Sequence, residues 1–388
     1  MSNDQNLIKF EKPKRGLLGK ILSMAVVLVI VVLFVAMMLF PEFFNVDAMR
    51  RWVKYMNVRQ DDGSGVFEFD AHNRNRYANY DGGLAVASVG GLSTYQAGGA
   101  EAIVSQGQLS LPEIQSGKKL VMAYDVGGTT LLAVNNRSGE VLRVTSDKAI
   151  LDADLSENGS ICYVSGSAGY KTVLTVYNEK QECVYRWLSS STYMPLCAVS
   201  DDGDHLATVG LNQSGGSFES ELNLFRTDSE VIANTVSLGN ELVYDLLYFN
   251  SDTICAIGEE TVQFLSSEAE PMGIYDYNGS YLKDYDVGGD GFLTLSLNMY
   301  RAGNRYTVVT VDEAGQELGS LYIGEEILDL SACGKYIAVL TPDNLTVYTR
   351  DLQVYAQTMD TGTATGVLMR EDGSVLLLGS GIGELYVP

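Results

Sequence analysis

Apolar residues through most of this chain recur at every second position rather than every third or fourth, the period of half-buried strands and not of helices. From residue 66 onward one unit returns again and again: an alternating stretch, a polar turn holding glycine, then a strongly apolar stretch. The clearest copies are 154–163, 198–207, 329–338 and 368–377, and weaker copies turn at Gly82, Gly117, Asp252 and Gly289. The turn positions 82, 117, 159, 203, 252, 289, 334 and 373 lie 35 to 49 residues apart and on average about 42. That is the length of one four-stranded blade of a β-propeller. A second hairpin follows the first in most units, as at 176–185 and 311–320. The pattern predicts an all-β fold, a β-propeller over 66–388 with eight blades. Seven is the alternative count, because the turns at Gly82 and Asp252 match the unit least well. The last unit lacks a strand, since only 375–378 and 384–387 follow Gly373. The strand-like segment 66–70 precedes the first full unit and is expected to supply the missing strand, closing the ring and protecting its edges.

The first 65 residues follow a different pattern. Residues 17–40 form an apolar run interrupted only by Gly19, Lys20 and Ser23. About 20 apolar residues suffice for a helix to cross a bilayer. No small-residue cleavage pattern precedes Pro41-Glu42-Phe43-Phe44, so an uncleaved transmembrane helix is expected at 17–40. The tail 1–16 and the start of the run carry Lys9, Lys12, Lys14, Arg15 and Lys20 close to the membrane. Arg50, Arg51, Lys54 and Arg59 follow the run at a greater distance. This favours a cytoplasmic N-terminus and a propeller held outside the cell membrane. In the juxtamembrane stretch 41–65, Met49, Trp52, Val53 and Met56 fall at i, i+3, i+4 and i+7, with basic residues on the other faces. A helix over 45–60 that rests on lipid, with Trp52 at headgroup depth, fits this periodicity. A plain extension of the anchor fits it too. Asp61-Asp62-Gly63-Ser64-Gly65 reads as a linker.

Charge and composition narrow the functional classes. The chain of 388 residues has a net charge of −23, but the first 20 residues carry +3, leaving −26 on the rest. Such a domain repels phosphate backbones, so nucleic acid is not an expected partner. Forty glycines, seven prolines and 23 tyrosines suit short strands joined by tight turns. Five cysteines, Cys162, Cys183, Cys197, Cys255 and Cys333, form no C-x-x-C pair. Their odd number argues for buried thiols, with a Cys162–Cys183 or Cys183–Cys197 bridge as the alternative.

The S-x-D-G-x-x-L-A turn, seen at Ser200-Asp201-Asp202-Gly203, resembles the generic repeat of WD-like and quinoprotein-like propellers. The whole plan of basic tail, one membrane helix and acidic propeller resembles an uncharacterised family of single-pass membrane proteins from Clostridia-type bacteria. These shared motifs are structural and imply no activity. The Trp-Asp dipeptide of WD repeats is absent, since Trp52 and Trp187 are the only tryptophans and neither precedes Asp.

Candidate chemistry is sparse. His72 and His205 are the only histidines, and no G-x-S-x-G elbow accompanies them. No catalytic residue is therefore nominated. Zinc would want clustered Cys and His, which are lacking. Calcium needs only carboxylates and carbonyls. Asp152 and Asp154, two apart on one strand, share a face and are the candidate metal pair if that face lines the channel. Apart from that calcium, no cofactor is expected. The longest hairpin, 212–218, ends in Phe218, the candidate partner contact beside Trp52 at the lipid. The expected function is a membrane-anchored, extracytoplasmic binding or scaffold module for a protein or glycan. The alternative is a calcium-assisted enzyme acting on a carbohydrate or lactone with carboxylates in the channel.

Overall fold

The computed structural model describes residues 65–388 except 215, together with residues 24, 27, 28, 31, 51 and 55. The chain divides into two units, Met1–Lys54 and Tyr55–Pro388. In the first, Met24, Val27, Leu28, Val31 and Arg51 are helical. The rest of the expected span 17–40 lies outside the described residues, as does Trp52 with most of the 45–60 segment. Among the described residues no helix is long and apolar enough to cross a membrane.

The second unit is an eight-bladed β-propeller. Eight four-stranded antiparallel sheets follow one another, seven of them built from four consecutive strands. Blades 1 to 8 begin with the innermost strands Arg76–Tyr80, Pro112–Ser116, Ile150–Leu155, Tyr193–Val199, Val243–Asn250, Tyr281–Gly289, Asp329–Cys333 and Gly366–Met369. Blade 8 has only three strands of its own, and its fourth is Val66–Glu68, from the other end of the domain. That strand pairs with Ile382–Tyr386, Val66 opposite Glu384 and Glu68 opposite Ile382. The ring is thus closed by the strand the sequence nominated, and the count of eight replaces seven.

Second strands are buried on both faces, since blades stack against them from either side. Thr253–Gly258 and Phe292–Asn298 have no exposed residue. This is why the stretch after each turn is so strongly apolar. Fourth strands lie on the rim and alternate, as in Pro271–Asp276. The core is accordingly distributed among the seams. Each buried hydrophobic cluster joins two neighbouring blades, and every one of the eight seams has such a cluster. At the closing seam Phe67 is fully buried among Leu84, Val86, Tyr95, Leu376 and Leu378. Its ring meets Tyr95 edge-on at 6.4 Å.

Strand order gives the ring two unlike faces. Links between first and second strands, and between third and fourth, lie on one side, the turn face. Links between second and third strands, and between blades, lie on the other, the connection face. All eight sequence-read turns sit on the turn face, although the one placed at Gly289 falls one step later, at Asp290-Gly291. In blade 4 the Ser200 hydroxyl accepts the His205 N–H at 3.1 Å and Asp202 accepts the Asp204 N–H at 2.9 Å. Gly203 turns the chain at φ +78°, and a Cβ there would stand 2.4 Å from Ser160 Oγ of blade 3. The glycine is required both for backbone conformation and for the close approach of the neighbouring blade.

All five cysteines are free thiols, with Cys162, Cys197 and Cys255 buried. The alternative bridges are not formed.

Candidate functional site

Two features of the ring carry chemistry: the channel wall and the connection face. The wall is made by the eight innermost strands, and three of them repeat one device. At Leu151-Asp152, Tyr244-Asp245 and Lys283-Asp284 the pairing to the second strand slips just before the aspartate. The carboxylate then accepts the next N–H of its own strand, from Ala153 at 2.9 Å, Leu246 at 2.8 Å and Tyr285 at 2.9 Å. A β-bulge leaves such an amide without a ladder partner, and the aspartate satisfies it. Asp329 opens its strand with the register to the second strand unbroken, Asp329 opposite Leu340.

The same aspartates stitch blade to blade. Asp152 accepts Cys197 N–H at 2.9 Å, Asp154 accepts Val199 N–H at 2.8 Å, and Asp329 accepts Val367 N–H at 2.7 Å. Asp284 and Asp286 accept the amides of Leu330 and Ala332. Asp245 instead accepts the Tyr285 hydroxyl at 2.9 Å, and Asp152 also accepts that of Tyr124 at 2.9 Å. Gln115 and Ser331 occupy equivalent places, accepting Leu155 and Met369 amides at 2.7 and 3.1 Å.

The nominated metal pair, Asp152 and Asp154, therefore does share a face of its strand, and its oxygens are engaged by blade 4. Among the described residues no three of His, Cys, Asp and Glu stand together in a way that could hold a metal ion.

Confinement raises the affinity of these carboxyls for protons. Loss of water around Asp152 pushes its pKa up to about 8, and the same cause brings Asp329 to about 7 and Asp154 and Asp284 to about 6. Glu113, Asp245 and Asp286 are raised as well, again chiefly by burial. The charge of Asp245 adds to the effect at Asp152, Asp154 and Glu113, as expected for like charges sharing one channel. On the side of blades 6, 7, 8, 1 and 2 the channel widens into a cavity of about 980 Å³. Its lining includes His72, Asn75, Glu113, Asp284, Asp286 and Asp329. Arg76 pairs with Glu113 at its edge, at 3.1 Å.

The connection face is aromatic. Six tyrosines among the described residues are strongly exposed: Tyr170, Tyr193, Tyr244, Tyr281, Tyr300 and Tyr322. All six stand on this face and all belong to blades 3 to 6. Tyr170, Tyr193 and Tyr281 open their strands, Tyr244 is second in its strand, and Tyr322 is next to last in Glu317–Ile323. Tyr300 lies in the link 299–305 beside exposed Met299. Arg301 sits 5.7 Å from the centroid of the Tyr281 ring and Arg305 sits 5.9 Å from that of Tyr300.

Phe218 stands on the same side. The hairpin of His205–Ser214 and Ser217–Arg226 pairs with its flanking strands only as far as Leu211 and Ser220. The remainder projects beyond the blade as a two-stranded arm carrying exposed Phe218. The sequence marked this hairpin but not the six tyrosines, because a tyrosine in a strand-rich chain reads equally well as core. The histidines are on opposite faces. His72 lines the cavity, and His205 lies 3.5 Å from Asp202 on the turn face.

Comparison with solved structures supports the propeller. The C-terminal WD40 domain of Sif2 superposes with a TM-score of 0.57 at 11% identity, covering 83% of this chain and 99% of that one. The WD40 repeats of RRP9 match with a TM-score of 0.49 at 8% identity, covering 73% of this chain and 97% of that one. At such identities the likeness is one of fold alone. No curated protein sequence matches the chain. The model of a family of unknown function (DUF5711) matches residues 59–377, most of the molecule, and the chain belongs to that family.

Proposed function

We propose that the chain is a membrane-held binding module whose connection face takes a protein partner. The observation that carries this reading is the confinement of all six strongly exposed tyrosines to one face and four consecutive blades. Tyrosine offers a large apolar area with a polar tip at little entropic cost, and Tyr, Met and Arg are enriched where proteins meet. Tyr244, Tyr281, Tyr300, Met299 and Arg301 together have that composition. Residues 17–40 serve as the anchor, with the tail 1–16 in the cytoplasm and the propeller outside. The 45–60 segment rests on the lipid through Trp52. Isolation of the full-length chain from its own membranes in mild detergent tests the binding role. One protein should accompany the wild type and be lost from the triple variant Tyr244→Ala, Tyr281→Ala, Tyr300→Ala at unchanged melting temperature. Its retention by the triple variant, or a carbohydrate in its place, would contradict a protein partner on this face.

A second reading rests on the cavity. Burial brings the Asp329 carboxyl to a pKa of about 7, and it lines the same cavity as Glu113 and Asp284, a setting for acid–base work on a carbohydrate or lactone. Screening hydrolysis with and without calcium tests it, since turnover should vanish in Asp329→Asn while partner capture persists.

A further inference from the structure

Carboxylates outnumber Lys and Arg by 49 to 26 in this chain, so acidic neighbours are plentiful. Arg76, Lys118, Lys119, Arg143 and Arg226 each stand within ion-pair distance of one. Among the described residues Lys283, Arg301 and Arg305 do not, although all three are exposed and belong to the connection end of blade 6. Lys283 Nζ donates to Arg301 O at 2.6 Å, tying the innermost strand to the link 299–305. Arg301 lies over the Tyr281 ring and Arg305 over the Tyr300 ring. A guanidinium held on a ring face keeps its N–H edges available to a planar carboxylate. The link itself is built on Asn298, which is fully buried. Its side chain donates to Gly303 O at 2.7 Å and accepts the Tyr300 N–H at 2.9 Å. The loop is thus shaped before any ligand arrives, which lowers the cost of binding.

The surroundings of these cations are acidic. Glu259 and Glu260 stand exposed on the preceding link of blade 5, and Glu326 and Asp343 on the links that follow. Glu241 is already engaged, accepting the amides of Glu260 and Thr261 at 3.0 and 3.1 Å. A broad anionic surface such as a bilayer would meet these carboxylates together with the cations. Exposed charges farther apart than about 8 Å are largely screened at physiological salt, so a narrow anionic chain can pair with the cations and stay clear of their neighbours.

We infer that the connection face of blade 6 takes an acidic segment of the protein partner, whose carboxylates pair with Arg301, Arg305 and Lys283 and whose apolar side chains rest on Met299 and the flanking tyrosines. This rests on the reading of that face as a protein-binding surface and names what the partner brings to it. Charge-assisted, bidentate pairing gives such a contact its direction, and the aromatic and thioether groups give it apolar area.

Fluorescence anisotropy tests the inference with the full-length chain in detergent micelles and a labelled short peptide of Glu, Asp and Leu. A peptide of the same length with Gln and Asn in place of the acids is the control. The acidic peptide should bind at least about tenfold more tightly than the control. The double variant Arg301→Gln, Arg305→Gln should remove that advantage at unchanged melting temperature. Binding should also weaken as salt rises from about 50 to 300 mM. Equal binding of the two peptides, binding of neither, or an advantage that survives the double variant overturns the inference. The protein-binding reading is tested apart from it. A protein captured by the wild type and lost from the tyrosine triple variant, yet fully retained by the arginine double variant, would leave that reading standing and refute the acidic segment. Displacement of the peptide by phosphatidylserine added to the micelles would then assign the cations to lipid.

Discussion

The turn face and the connection face are made by the same eight blades, yet they follow opposite rules. Turns at 156–160, 200–204 and 370–374 repeat one scheme, in which Ser or Asx side chains accept amides ahead of or beyond a glycine at positive φ. Links on the other face share no scheme. One grows into the arm that carries Phe218, another is the link 299–305, and blades 3 to 6 display tyrosines there. Repetition marks where each blade must meet the next in the same way. Irregularity marks where blades are free to differ, and in repeat architectures that is where binding surfaces arise.

The largest expected effect tests whether the ring depends on its closing seam. Phe67→Ala empties a fully buried site and should lower stability by about 3–5 kcal/mol in denaturant titration. A loss as small as that of a surface substitution would mean that the ring holds without its clasp.

Next comes pH, which probes the channel wall between the two faces. Asp152 and Asp329 bind protons more tightly when folded, near pH 8 and 7, than an unfolded aspartate does near about 4. Their stabilising contribution is therefore complete at low pH and is lost as pH rises toward 8. Urea midpoints should fall between pH 5 and 8. Asp152→Asn should flatten that slope. An unchanged slope in Asp152→Asn would show that general acidity, rather than the channel, sets the dependence.

The connection face should behave in the opposite sense to the clasp. Tyr244→Ala and Tyr281→Ala should each weaken partner capture by about 2 kcal/mol if they are central contacts. Fold stability should change by no more than about 0.5 kcal/mol. Smallest is the turn-face counterpart, Ser200→Ala, which leaves the His205 amide without its side-chain partner and should cost about 1 kcal/mol of stability with no effect on capture. If Ser200→Ala disturbed capture more than Tyr244→Ala, the roles of the two faces would have to be exchanged.

The sequence revealed what repeats. The turns were legible because serine, aspartate and glycine recur at fixed offsets, and the closing strand was legible because the last unit was one strand short. Gly289 was misplaced by one step because the pairing around it is itself irregular, slipping between Asp286 and Gly289. Asp245, Asp284 and Asp329 escaped notice although I-L-D-A, V-Y-D-L, L-K-D-Y and I-L-D-L stand at 150–153, 243–246, 282–285 and 327–330. In the first three a bulge shifts the alternation, so the shared aspartate does not fall in a common phase. Tyr244 and Tyr248 show the other limit. They lie four apart in one strand, yet Tyr244 is exposed and Tyr248 is largely covered. Unbroken alternation would give both the same face, and the slip between Val243 and Asp245 sets Tyr244 apart.

The division of labour between the faces is tested most directly by a photo-cross-linking side chain placed in living cells at position 244 on the connection face or at position 180 on the turn face. The account predicts a discrete protein adduct from position 244 and none from position 180. Adducts from position 180 alone, or from neither position, would contradict it.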